Sequence, residues 1–300
     1  MSAFPRDLLS RARPRDPHER IRPRGQETAI ALGTTLAAVG LGLLAAFAPL
    51  PTHHSLELRA GLGLLAFMAL RVLAMRARRS GGWPPELEEA VGLLRAGDRH
   101  AAAAQLEVLL HDARVHPAYR AVGLAWSGLV ALRGGELGRA QDLWAEVARS
   151  GHWKERGLRF ALSGLPGLCA LAAAAEGDLD RARRWLRDAP RIDEELSAGP
   201  RTLAAIYIAL RGGDREAARR FAVAGWALAE ATLAPAELRG MRVLAALAEE
   251  DPQSLDARRW RAGARPGWPG ELDFLAATWP ELSIYLRDHG FSPSAGALHG

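Results

Sequence analysis

The chain of 300 residues holds one cysteine, Cys169, and one lysine, Lys154. A single thiol forms neither an internal disulfide nor a paired Cys-x-x-Cys metal knuckle. Arginine supplies every other basic residue, so the pI near 10.2 partly reflects a guanidinium that never titrates in proteins. Aromatic residues make up 6% of the chain and β-branched residues are scarce, which removes the usual makings of a sheet. No HExxH, GxSxG or P-loop sequence occurs, which excludes the familiar signatures of zinc peptidases, serine hydrolases and P-loop nucleotidases. What is abundant is alanine, 59 of the 300 residues. Ala is the best helix former, so the composition predicts an all-α protein. With 49% hydrophobic and 24% charged residues the chain can bury a core, which excludes a disordered or collagen-like chain.

The formal charge of +5 is unevenly placed. Residues 1–27 carry seven Arg, Arg22 and Arg24 among them, against four acids, and residues 71–79 add Arg71, Arg76, Arg78 and Arg79. Residues 80–300 hold 27 basic and 29 acidic residues, so the bulk of the chain is slightly acidic. Nucleic acid requires a basic face on the folded domain. The distribution predicts no nucleic-acid partner.

Both basic clusters flank apolar stretches. Residues 28–50 contain no charge, and at about 1.5 Å rise per residue such a helix crosses a hydrocarbon core of roughly 30 Å. Residues 60–79 form the second stretch, in which Arg71 lies near the apolar end and can snorkel to the interface. Gly-Leu-Gly-Leu-Leu-Ala occurs in both, at Gly40–Ala45 and Gly61–Ala66. These strings formally match a dinucleotide-binding pattern, but no strand precedes them, and small residues at helical spacing suit close helix packing. The reading is a transmembrane hairpin, with residues 51–59 as a short external loop and 1–27 as a basic cytoplasmic leader. Arg retention on the cytoplasmic side places both termini and everything after residue 80 there. A cleaved signal peptide is the alternative, since Ala46-Phe47-Ala48 resembles a cleavage site. The long span, the following Pro49 and the second apolar stretch count against it.

After Trp83-Pro84-Pro85 one turn phrase occurs four times: Gly97-Asp98 with Ala102, Gly135-Glu136 with Ala140, Gly177-Asp178 with Ala182, and Gly213-Asp214 with Ala218. The glycines are 38, 42 and 36 residues apart. Gly suits a left-handed helix cap, the acid after it starts the next helix, and Ala lets the two helices pack closely. Each helix pair would expose an apolar side that the next pair covers, so the copies should stack. These residues resemble the tetratricopeptide repeat (TPR) family of helix–turn–helix units. The resemblance implies a TPR-like α-solenoid of repeats over residues 86–260, including a weaker fifth unit from Ala236 to Trp260. Residues 267–290 read as C-terminal capping helices, one kinked or two short, with Leu272, Leu275, Trp279, Leu282, Tyr285 and Leu286 on one side. Residues 291–300 read as a flexible tail.

In TPR-like domains the first helices of each pair line a concave face. By that resemblance, Val91, Trp126, Leu129, Leu168, Leu171, Leu203 and Tyr207 fall there, with Arg95, Arg133 and Arg211 two residues before the turn glycines and Ala175 breaking the series. An apolar floor with three Arg suits a peptide or helix carrying hydrophobic and acidic side chains. Trp144 and Trp185 fall on second helices and read as core. His53 and His54 are adjacent loop residues whose side chains diverge. His111, Asp112 and His116 surround a helix end before Pro117, where helix termination is the ordinary role of such residues and metal binding the alternative. Cys169, among Leu168, Ala170 and Leu171, reads as a small buried hydrophobe.

The expectation is therefore a membrane-anchored TPR-like scaffold or adaptor, not an enzyme and without a cofactor. It would be a multi-pass protein of a bacterial-type inner membrane that binds protein partners and the lipid bilayer. The alternatives are an accessory or metal-dependent hydrolytic enzyme built on the His111 cluster, and a sensor of anionic lipid head groups.

Overall fold

A computed structural model describes residues 84–112, 115–251, 253–268 and 270–291, together with Gly33. The segments expected to form a leader, a membrane hairpin with flanking arginines, a loop with His53 and His54 and a tail beyond Phe291 lie outside the described residues, Gly33 apart. Among the described residues the regular structure is all helical, with no strand, and no helix is long and apolar enough to cross a membrane.

The repeated phrase builds the first four helix pairs. Helices α1 (Pro85–Ala96) and α2 (Arg99–His111) form one pair, and α3 (Pro117–Arg133) and α4 (Leu137–Ser150) the next. After the short α5 (Arg159–Leu162) come α6 (Leu165–Ala175) with α7 (Leu179–Asp188), and α8 (Glu194–Arg211) with α9 (Arg215–Thr232). All four turn glycines are left-handed, with φ of 91°, 76°, 95° and 81° at Gly97, Gly135, Gly177 and Gly213. The amide of each following acid donates to a carbonyl five residues back, at 2.9–3.0 Å, as Asp98 does to Leu93 and Glu136 to Ala131. This double closure satisfies helix-end carbonyls that would otherwise have no partner. Asp98, Asp178 and Asp214 then accept the amides of Ala101, Arg181 and Ala217 at 2.8–3.0 Å and start the second helices. Glu136, one methylene longer, makes no such cap. The alanines five residues after the glycines, Ala102, Ala140, Ala182 and Ala218, are each 0% exposed. Gly128 in α3 has the same packing logic, since a Cβ there would fall inside the Trp144 indole.

Each second helix packs on its own first helix and on the first helix of the following pair, α9 on α8 and on α10 (Pro235–Ala248) for example. Trp144 and Trp185 are both core residues, at 0% and 2% exposed. The wide spacing between Gly135 and Gly177 has a local cause. Gly151 ends α4 with φ of 76°, and two 3-10 turns, His152–Lys154 and Arg156–Leu158, with α5 fill the gap before α6. That inset is part of the core: Trp153 is 1% exposed and its indole donates to the Ala148 carbonyl at 3.1 Å.

Helices α10 and α11 (Leu255–Ala262) make the fifth pair, and Ser254 caps α11 through the Ala257 amide at 3.0 Å. The C-terminal segment ends in two short helices, α12 (Asp273–Ala276) and α13 (Pro280–Asp288). It does not simply cap the array's last pair. Helix α12 lies against α3 and α6, and the Trp268 ring packs on the turn at Gly97 in the first pair.

Candidate interaction surface

Of the ten residues expected to line a concave groove, Arg133, Tyr207 and Arg211 contact α10 or that C-terminal segment. Leu129, Leu171, Leu203 and Tyr207 are buried, Val91, Trp126 and Leu168 are half-buried, and Arg95 is exposed. The buried indole nitrogen of Trp126 has no hydrogen-bond partner among the described residues.

Two of the three arginines are engaged within the chain. Arg133 forks onto Glu237 of α10, with Nε to Oε1 at 2.9 Å and Nη2 to both carboxylate oxygens at 2.8 Å. The pair is almost dry, the side chains being 8% and 4% exposed. Nη1 of Arg133 also donates to the Leu94 carbonyl of α1 at 3.0 Å, so one guanidinium ties the first two pairs to the fifth. Arg211 donates to the Thr278 carbonyl at 3.0 Å and lies 5.4 Å from the Trp279 ring centroid, a cation–π distance.

Tyr207 fixes the middle of the segment. Its hydroxyl donates to the Leu275 carbonyl at 2.8 Å, and Trp279 meets its ring edge-on with centroids 5.2 Å apart. Burial pushes the phenol up to about 12, and the Arg211 charge offsets only part of this. Thr278 donates its hydroxyl to the Ala175 carbonyl at the end of α6. At the other end, Arg239 forks onto Glu271, whose Oε2 also accepts the Gly267 amide at 2.7 Å. Leu272, Phe274 and Leu275 are at most 1% exposed. The groove expected to be open thus holds the chain's own residues, packed as tightly as the rest of the core. Sequence reasoning found the apolar side of this segment but assigned it to the array's end. Glu237, Arg239, Glu271 and Thr278 carried no local signal, because their partners are 32 to 104 residues away.

The remaining candidates have structural roles. His111 Nδ1 lies 2.8 Å from the Glu107 carbonyl of its own helix, and the Ala118 amide donates to His116 Nδ1 at 3.2 Å, capping α3. Among the described residues no group of His, Cys, Asp and Glu is placed to hold a metal ion. Cys169 is 1% exposed and burial pushes its thiol far above the ordinary range, which leaves it a small hydrophobe.

Open relief remains in two kinds of place: a hollow of about 580 Å3 where Leu210, Arg211 and Leu247 meet Thr278, Trp279 and Pro280, and clefts between consecutive second helices. A cleft between α2 and α4 of about 300 Å3 is lined by Arg99, Arg139, Glu107 and Glu136 together with apolar residues. A longer groove lies between α7 and α9, over α8. No protein-family model matches the chain, and no curated protein or solved structure matches it.

Proposed function

We propose that the protein is a membrane-anchored helical-repeat scaffold of tetratricopeptide type, whose array binds protein partners on the cytoplasmic side. The observation that carries this reading is the fourfold recurrence of one helix hairpin, with left-handed Gly, following acid and fully buried Ala in every copy. Such hairpins bury their apolar sides only by stacking, and the stacked array offers a long, mostly rigid surface. The division of charge supports the anchor: Arg-rich flanks beside two apolar stretches, and a near-neutral, slightly acidic remainder. Because described residues between 264 and 291 occupy much of the expected groove, partner binding is assigned to the exposed side of the second helices. Photo-crosslinking amino acids placed in the native cell at Val108, Phe221 and Leu255, all exposed, test this. Discrete protein adducts from at least one position are expected. No adduct from any of them, with the protein inserted and folded, would remove the scaffold reading.

A further inference from the structure

We propose that the groove between α7 and α9 is a docking site for an amphipathic helix with an acidic flank; the inference rests on the scaffold reading above. Two adjoining hollows, of about 590 and 310 Å3, share Leu186, Ala205 and Phe221 and run along the top of α8. The α9 wall carries Ala217, Phe221 and Ala224, Leu228 follows at the same helical spacing beyond the two hollows, and residues 221–229 carry no charge. Phe221 and Leu228 are 45% and 46% exposed. A surface helix ordinarily turns such a stripe inward, and an apolar stripe left outside marks a contact surface. At about 1.5 Å per residue the seam spans roughly 17 Å, the length of about three helical turns.

Charge identifies the occupant. The groove is lined by Arg183, Arg187 and Arg201 against one acid, Asp214, whose carboxylate is committed to the Ala217 amide. Arg201 is half-buried, and its guanidinium is held below the usual range by burial and by the neighbouring Arg191 charge. Asp180 and Asp188 pair with Arg183 and Arg187 at the solvent edge. Exposed pairs of this kind are worth about 0–1 kcal/mol, so a partner carboxylate replaces them at little cost. The cleft between α2 and α4 differs in its lining, where Arg99 and Arg139 are matched by two acids, Glu107 and Glu136. Arg201 donates to the Leu186 carbonyl beneath the groove, so a helix laying Leu or Phe on the α9 seam and Glu toward Arg183 and Arg187 of α7 meets both requirements, in the helix-in-groove mode.

The test uses the full chain in detergent micelles and a fluorescent peptide of about 16 residues, with Leu on one helical face and Glu on its flanks. Its twin carries Lys at every Glu position. Saturable binding of the acidic peptide is expected by anisotropy, about tenfold tighter than the twin and weakened by about 0.5 M salt. Ala224→Trp, which fills the groove from an exposed position, should lower the affinity at least about tenfold with an unchanged helical spectrum. Arg187→Glu should narrow or reverse the preference between the twins. Equal binding of the twins, no saturation, or indifference to Ala224→Trp overturns the proposal. So does a dimer in sedimentation, or adsorption to phosphatidylglycerol vesicles, that Ala224→Trp abolishes, since either would name a different occupant. Crosslinks from Val108 or Leu255 without peptide binding would end this inference and leave the scaffold reading standing.

Discussion

Arg133 and Glu237 set up the most demanding stability prediction. Both side chains are more than nine-tenths buried, joined by a forked contact at 2.8–2.9 Å, and separated by 104 residues of sequence. Removing one partner leaves the other charge in a medium that solvates it poorly, at a cost of about 3–5 kcal/mol. Arg133→Met and Glu237→Met should therefore each be severely destabilising. The double variant should be milder than either single, because no lone charge remains; what it loses is the bond from Arg133 to the Leu94 carbonyl, about 1 kcal/mol. In a domain of roughly 200 residues, 1 kcal/mol moves the thermal midpoint by about 2–4 °C, so the singles should fall by about 6–20 °C. The assay is thermal unfolding followed by helical circular dichroism on residues 80–300, which should be soluble and strongly helical alone. Singles that each cost under about 1 kcal/mol, or a double equal to their sum, would refute a desolvated and coupled pair.

The turn geometry makes a sharper local prediction. Gly135 has φ of 76° and open space where a Cβ would stand, so Gly135→Ala isolates the backbone term, about 1–2 kcal/mol, read as a lower guanidinium midpoint; an unchanged midpoint would contradict the left-handed cap. Tyr207 supplies a pH test. Its folded value near 12 lies above the ordinary phenol value of 10.0, so the folded state holds the proton longer than the unfolded one. Its contribution of about 2–3 kcal/mol is therefore complete below pH 10 and lost as pH rises toward 12. Tyr207→Phe should flatten that loss between pH 10 and 12 in denaturant titrations, and an identical alkaline profile in both proteins would show that the phenol is not buried against Leu275.

What the sequence made legible was local. Gly, acid and Ala at fixed offsets specify a cap, a helix start and a close approach within a dozen residues, and the four copies of that phrase fold as their chemistry requires. The inset of residues 152–164 stayed hidden because it stretches the spacing without repeating anything, and its core residues, His152 and Trp153, are recognisable only once Ser150 and Ala148 stand beside them. The arginines two residues before the turn glycines show the limit most clearly. Arg95 and Arg133 occupy the same position in successive copies, yet one is exposed and the other is locked in a dry ion pair. Nothing in either copy distinguishes them. The difference lies in Glu237, which α10 brings across the inner side of the array, and a helical register alone contains no information about which chain will fill the face it creates. The same reasoning explains why the outer groove gained importance. Once much of the inner face is supplied with its own apolar filling and its own carboxylates, the exposed seam between α7 and α9, flanked by arginines held only in weak surface pairs, is the surface proposed for a partner.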